Sequence, residues 1–176
     1  MELWVRILEV SLLLGFALVS DIKQYKIKNT VTLPFMLIGL ITNYLFEGVS
    51  GVVQSMEAAL LPILFLLLLF ALRMLGAGDI KLFSAIGAIM GVKFILYTLA
   101  YSFLWGGLIS LLIIYVRKNG KQRFIYLFHY FKTCLLSWSL LPYTDFVDKE
   151  DGAKFRFSYA ILCGAITQAV ITFFHI

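Results

Sequence analysis

Six long apolar stretches, separated by short polar or basic segments, divide the chain. They fall at about 3–20, 31–46, 52–72, 80–92, 94–116 and 157–174. A helix that crosses a bilayer needs roughly 20 predominantly apolar residues, so these stretches and their connections use most of the chain. The pattern predicts an all-α, polytopic membrane protein with six transmembrane helices in a single membrane-embedded domain, residues 1–176.

The connections between the apolar stretches differ in length and charge. Residues 47–51 form a short turn without a basic residue. The stretch 80–116 holds two spans only if they are joined by a tight turn near Gly91 to Phe94. The segment 117–156 is the long loop, and it begins with a strongly basic run at 117–123.

Within that loop, residues 124–141 combine an apolar and a polar face. The apolar residues recur at helical spacing at Phe124, Leu127, Phe128, Phe131, Leu135 and Trp138. This pattern favours an amphipathic helix lying on the inner membrane surface. A short seventh span is the competing interpretation, and it would move the carboxyl terminus to the inside.

Composition narrows the class of protein further. Of the 176 residues, 61% are hydrophobic and 14% charged, and the mean hydropathy is +0.93. A soluble domain is nearer half apolar and a quarter charged. The net charge of +5 does not indicate nucleic-acid binding, because the basic residues lie in the connections, where membrane topology explains them.

The distribution of positive charge predicts the orientation. Of the 15 Lys and Arg residues, only Arg6 and Lys93 fall on the predicted external side. The positive-inside rule then predicts an inner-membrane protein with both termini outside. The first stretch could be a cleavable signal peptide, but its lysines (Lys23, Lys26, Lys28) follow the apolar run, which favours a retained span.

Cysteine and histidine offer no cofactor site in the sequence. Cys134 and Cys163 are far apart, without a Cys-x-x-Cys spacing, and His129 and His175 stand alone. We therefore expect no disulfide framework, no metal and no cofactor.

The candidate chemistry lies in the stretch Gly76-Ala77-Gly78-Asp79. An aspartate is costly in hydrocarbon, about 2.5 to 3.5 kcal/mol at a helix centre, so its presence at the end of a membrane helix suggests a function. Asp21 follows the first span and comes out on the same, cytoplasmic face. The plainer interpretations are a helix N-cap for Asp79 and a loop residue paired with Lys23 or Lys26 for Asp21.

Two carboxyl groups in a partly dry site can share one proton. The ionised member can take a proton from water while the protonated member polarises a peptide carbonyl, as in aspartic proteases. We expect Gly76 and Gly78 to provide backbone conformations closed to other residues and a close approach for an extended substrate. Lys81 is predicted to be an interfacial anchor that extends outward rather than a catalytic base.

These stretches resemble the type IV prepilin peptidases and preflagellin peptidases, within the GxGD group of intramembrane aspartyl proteases. The residues that carry the resemblance are Ser20-Asp21, Ile27-Lys28-Asn29, Gly76-Ala77-Gly78-Asp79-Ile80-Lys81-Leu82 and Phe155-Arg156-Phe157-Ser158-Tyr159-Ala160. The order of the spans agrees with it as well. Many relatives have Ile-Pro-Asn where this chain has Ile27-Lys28-Asn29.

The resemblance implies a membrane aspartic endopeptidase that removes the short basic leader of prepilin-like or preflagellin-like proteins at the cytoplasmic membrane boundary. It implies that Asp21 and Asp79 are the catalytic pair, with Gly76, Gly78, Lys81 and Asn29 binding substrate or supporting the motif. Larger relatives carry a cytoplasmic domain with paired cysteines, associated with N-methylation. The sequence shows no such domain, so peptidase activity without methyltransferase activity is expected.

Two other classes of function stay open at the level of sequence. One is a small proton- or cation-coupled membrane transporter, which would favour acids near the middle of spans. The other is a non-catalytic assembly factor of a pilus or secretion system. The sequence identifies neither the substrate nor the oligomeric state.

Overall fold

The structure, a computed structural model, describes residues 2–24, 26–117 and 156–174, together with residues 125, 129, 132, 133 and 136. Five helices are assigned within residues 2–117 and 156–174. They are α1 (Glu2–Gln24), α2 (Asn29–Ala71), α3 (Ala77–Met90), α4 (Val92–Arg117) and α5 (Ser158–Phe174). The described residues contain no strand, which confirms the predicted all-α class.

The predicted count of six spans is not confirmed, because the stretches 31–46 and 52–72 both fall within α2. This helix has a break at Gly48, whose φ of 66° and ψ of −146° are not helical. Asn43 and Ser55 both donate hydrogen bonds to the carbonyl oxygen of Ala88, at 2.8 and 2.5 Å. In a straight helix they would lie about 18 Å apart, so the chain must reverse at Gly48.

The short helix α3 forms the centre of the bundle. Nearly all of its side chains from Ile80 to Ile89 are buried, and the core cluster draws on it more than on any other helix. Gly87 packs directly on the second half of α2, where a Cβ would meet the backbone of Ala58. A helix that is apolar on all sides belongs inside a bundle, and small residues let the backbones approach closely.

A sharp turn at Gly91, with a φ of 85°, joins α3 to α4. Phe157, just before α5, contacts the rings of both Phe83 on α3 and Phe103 on α4, with centroids 6.3 and 5.6 Å apart. Gly164 of α5 lies against the backbone of Ser102. These contacts fold α4 back along α3 and hold α5 beside them.

The outward faces of the helices are apolar. On α1 the exposed residues recur every fourth position at Trp4, Leu8, Leu12 and Phe16, whereas Glu9 and Asp21 are buried. Three helices, α1, α2 and α4, are long and apolar enough to cross a membrane. Apolar residues on the outward faces, with the acidic side chains turned inward, are the arrangement expected for a protein solvated by lipid.

The loop 117–156 and the helix ends differ in how far the structure describes them. The amphipathic helix at 124–141 lies largely outside the described residues, although residues 125, 129, 132, 133 and 136 are helical. The helix ends also differ from prediction, since α1 continues to Gln24 and α3 starts at Ala77. Asp21 and Asp79 therefore lie inside helices rather than beside them.

Candidate functional site

Asp21 lies in the last turn of α1, and its side chain is buried. The hydroxyl of Ser158, the first residue of α5, donates a hydrogen bond of 2.5 Å to Oδ2 of Asp21. Ser158 is itself only 3% exposed. Neither Lys23 nor Lys26 forms an ion pair with Asp21 within the described residues, so the loop ion pair considered from sequence is not observed.

Asp79 lies in the first turn of α3, three residues after Gly76. Gly76 is the N-cap of the helix, so the interpretation of Asp79 as the N-cap is wrong. The carboxylate of Asp79 instead accepts a hydrogen bond from the backbone N–H of Gly76. This is the carboxylate half of a capping box, in which the third helical residue reaches back to the N-cap N–H.

Asp79 precedes the apolar run of α3, and its electrostatic environment is unusual. Burial raises the pKa of Asp79 from 3.8 to about 6, the Gly76 N–H lowers it, and the negative charge of Asp21 raises it. The two aspartates are therefore electrostatically coupled although 58 positions separate them in sequence. A carboxyl group with such a pKa can exchange a proton near neutral pH.

We expect labelling by dicyclohexylcarbodiimide, which reacts with protonated carboxyl groups, to report this pKa directly. With a pKa of about 6, Asp79 should be labelled about tenfold more at pH 5 than at pH 7. Peptide mass spectrometry measures the modification, and an Asp79→Asn chain verifies the site. Equal labelling at the two pH values would contradict a raised pKa.

The two motif glycines act through close approach rather than through unusual backbone angles. Gly76 has an extended backbone, with φ −78° and ψ 145°, and among the described glycines only Gly48 and Gly91 have positive φ. The expectation of special backbone conformations at Gly76 and Gly78 is therefore wrong. A Cβ at Gly76 would lie 3.2 Å from Oδ2 of Asp79, so the missing side chain lets the carboxylate reach the backbone.

Gly78 brings α3 against the loop that follows α1. A Cβ at this position would lie 3.2 Å from Cβ of Ile27 and 3.4 Å from its backbone nitrogen. The hydroxyl of Ser20 donates a 3.0 Å hydrogen bond to the carbonyl oxygen of Lys26 and so holds the turn before Ile27. The turn after Asp21 is thus fixed against the turn that carries Asp79.

Lys81 and Asn29 are joined by a hydrogen bond. Nζ of Lys81 donates to Oδ1 of Asn29 at 2.7 Å, which ties the start of α2 to the start of α3. Lys81 is half-buried, and its role as an interfacial anchor stays a prediction. Both residues lie at the same end of the bundle as the aspartates.

Ser158 was not identified as a site residue from the sequence. Ser158 lies in a stretch that carries the family resemblance, and a serine before an apolar run is a helix-start signal. No local pattern places it beside Asp21, which lies 137 positions away. The described residues contain no group of three or more His, Cys, Asp or Glu side chains that could hold a metal ion.

An open cavity of about 470 Å³ adjoins the site. It is lined by the end of α2 and the connection to α3, from Phe70 to Ala77, and Gly76 forms part of its wall. Arg73 in this connection has a left-handed φ of 55°.

The fold and the site define an all-helical protein with membrane-spanning helices and two coupled aspartates at one end of the bundle. Comparison with known families agrees, because the sequence profile of the type IV leader peptidase family matches residues 8–111, more than half of the chain. The chain therefore belongs to the type IV leader peptidase family, as the resemblance predicted. The match contains both aspartates but ends before Ser158.

A relative in Legionella pneumophila, a prepilin leader peptidase/N-methyltransferase, is 34% identical over 109 residues. The alignment covers 58% of this chain and 37% of the relative, so the chain matches much less than two thirds of that protein. No solved structure matches the chain.

Proposed function

We propose that this protein is a membrane aspartic endopeptidase that removes the short basic leader of prepilin-like or preflagellin-like proteins. The observation that carries the proposal is the placement of the buried Asp21 of α1 and the partly buried Asp79 of α3 at one end of the helix bundle, where the charge of Asp21 contributes to the raised pKa of Asp79. Paired carboxyl groups suffice for peptide hydrolysis, so the mechanism requires no cofactor or metal.

In the proposed mechanism the two aspartates have different roles. Asp79, with its raised pKa, is the member that takes up the shared proton when substrate binds, and it then donates a hydrogen bond to the carbonyl oxygen of the scissile peptide. Asp21 is the proposed base and accepts a proton from the attacking water. A substrate covering the site removes water from Asp79 and further favours its neutral form.

The site orientation in this proposal follows the distribution of charge. Lys23, Lys26 and Lys28 adjoin Asp21, Arg73 adjoins the Asp79 loop, and the basic run 117–123 follows α4. We place this end in the cytoplasm of a cell with an inner membrane, with both termini outside. The two halves of α2 then act as separate spans, which gives six crossings in one domain, residues 1–176.

The supporting residues position the pair. Gly76 and Gly78 give the close approaches described above, while the Lys81–Asn29 hydrogen bond fixes the starts of α3 and α2. The cavity beside Gly76 is the proposed entry for the substrate segment next to the cleaved bond.

Transport of protons or cations is the second candidate function, and one observation favours it. Glu9 is buried within α1 and accepts a hydrogen bond of 2.6 Å from Thr42, while its Oε2 atom has no partner. A buried acid in a membrane helix is a functional candidate by default. A transporter would leave a prepilin-like substrate intact.

The test is cleavage of a prepilin-like substrate by the purified protein in lipid vesicles. We expect a single cut that removes the basic leader, identified by mass spectrometry of both products. An intact substrate, with a folded protein verified by size-exclusion chromatography, would contradict the proposal and favour transport or assembly.

We propose Ser158 as the residue that positions Asp21. Its hydroxyl fixes one carboxylate oxygen, Oδ2, and so determines where the other oxygen points. We expect Ser158→Ala to lower kcat about ten- to a hundredfold, since a hydrogen bond to a charged group is worth about 1.5–3 kcal/mol. KM should change less than about twofold, because the hydroxyl touches Asp21 rather than substrate.

Two further variants separate positioning from simple packing. Ser158→Thr keeps a hydroxyl and should recover most of kcat. Ser84→Ala is the matched control, because Ser84 is a fully buried serine on α3 whose hydroxyl has no partner. Equal losses in Ser158→Ala and Ser158→Thr would show that Ser158 only fills space.

A further inference from the structure

A second cavity, of about 700 Å³, lies at the end of the bundle opposite to Asp21 and Asp79. Four helices form its wall, namely the start of α1, the end of α3, the start of α4 and the end of α5. The same end carries the contact between Trp4 and Phe173, whose ring centroids are 5.5 Å apart. The proposed peptidase chemistry makes no use of this cavity.

Two cationic side chains line the cavity, and each has a donor or a charge without a partner among the described residues. Arg6 binds Glu47 through Nη2 at 2.6 Å, but its Nε is buried without a hydrogen-bond partner. Lys93 is exposed and forms no ion pair within the described residues. Since Glu47 balances the charge of Arg6, the site has one net positive charge, on Lys93.

An unpaired acceptor lies in the same cavity. Gln168 is only 8% exposed, and its Nε2 donates to the hydroxyl of Thr172 at 3.1 Å. Its Oε1 is buried and has no partner. A buried polar atom without a partner costs about 1–3 kcal/mol, so a ligand that donates a hydrogen bond here would be stabilised.

The rest of the wall is apolar or aromatic. The rings of Tyr97 and Tyr101 stack with centroids 6.5 Å apart, and Phe94 lies beside them on the same cavity. The cavity is formed at helix ends, which is the depth of lipid head groups in a membrane protein. A Lys or Arg side chain at this depth attracts anionic head groups by about 1 kcal/mol.

We propose that this cavity binds the head group of an anionic phosphoglycerol lipid. The phosphodiester, with its single negative charge, pairs with Lys93 and accepts a hydrogen bond from Arg6. A glycerol hydroxyl donates to Oε1 of Gln168, and the apolar wall contacts the start of an acyl chain. A zwitterionic head group fits less well, because its own cation would lie near Lys93.

The test compares lipid retention by purified protein from vesicles of phosphatidylglycerol and of phosphatidylcholine, by native mass spectrometry. We expect wild type to retain phosphatidylglycerol preferentially and Lys93→Gln to bind it about fivefold more weakly. Lys26→Gln is the matched control, since Lys26 is an exposed lysine at the other end of the bundle. It should stay within about twofold of wild type.

Two further measurements distinguish binding of the lipid head group from binding of free phosphate. Gln168→Leu should reduce the preference for phosphatidylglycerol over phosphatidic acid, which lacks the glycerol hydroxyls. Inorganic phosphate at millimolar concentration should not displace the lipid, whereas displacement would identify a site for the free anion and overturn the lipid assignment. Equal loss in Lys93→Gln and Lys26→Gln would likewise overturn the proposal.

This inference is independent of the peptidase proposal. Lys93→Gln in phosphatidylcholine vesicles should cleave a prepilin-like substrate as wild type does. If the lipid test fails while cleavage is intact, only the lipid-binding proposal is rejected. If cleavage fails while the lipid binds, only the peptidase proposal is rejected.

Discussion

Replacing Asp79 by Asn is expected to reduce leader cleavage by about a thousandfold or more. The substitution keeps the size of the side chain but removes the proton that the carboxyl group exchanges. Asp21→Asn should have an effect of the same order, because it removes the acceptor for the proton of water. The double variant should be little worse than either single variant, since residues that act as a unit are not additive.

The assay is single-turnover cleavage of a prepilin-like substrate followed by mass, with the membrane level of each variant measured. Glu57→Gln is the matched control, because Glu57 is an exposed acid on α2 away from the pair. It should cleave at the wild-type rate. Cleavage retained in either aspartate variant at normal abundance would rule out the paired mechanism.

The substitution Gly87→Ala is expected to have the largest effect on folding. The added Cβ would lie 2.9 Å from the carbonyl carbon of Ala58 and closer still to its oxygen. These are backbone atoms of the neighbouring helix, so the helices must separate. We expect a loss of about 2 kcal/mol or more in the free energy of unfolding.

The substitution Gly107→Ala is expected to leave the stability unchanged or to raise it. Gly107 lies within α4, and a Cβ there meets nothing within 4 Å. Alanine is a better helix former than glycine by about 1 kcal/mol, so this variant should be as stable as wild type or more so. The thermal stability of Gly87→Ala and of Gly107→Ala is measured in detergent by size-exclusion chromatography after heating. Equal stability of the two variants would disprove the close packing of α2 on α3.

The helical, membrane-embedded class could be predicted from the sequence because lipid imposes a simple requirement on composition and length. Long apolar runs must become helices that satisfy their own backbone hydrogen bonds. The helix ends were not predicted correctly. Asp21 and Asp79 were expected just outside the spans, but α1 continues past Asp21 and α3 starts before Asp79, because neighbouring segments cover these polar turns.

The candidate site was only partly predictable. Gly76-Ala77-Gly78-Asp79 and Asp21 could be selected because their residue types are unusual at membrane helix ends. One of the two reasons given for the glycines, special backbone conformations, was wrong, because backbone angles are not readable from glycine alone. The hydrogen bond between Lys81 and Asn29 was missed because it joins separate helices.

The sequence by itself determined the all-helical class, the apolar segments, the family and the two aspartates, since each depends on composition or on a short local motif. Tertiary structure alone decided the reversal of α2 at Gly48, the central burial of α3 and the contact of Ser158 with Asp21. Such contacts depend on how closely helix backbones pack, and that distance is set by residues far apart in the chain.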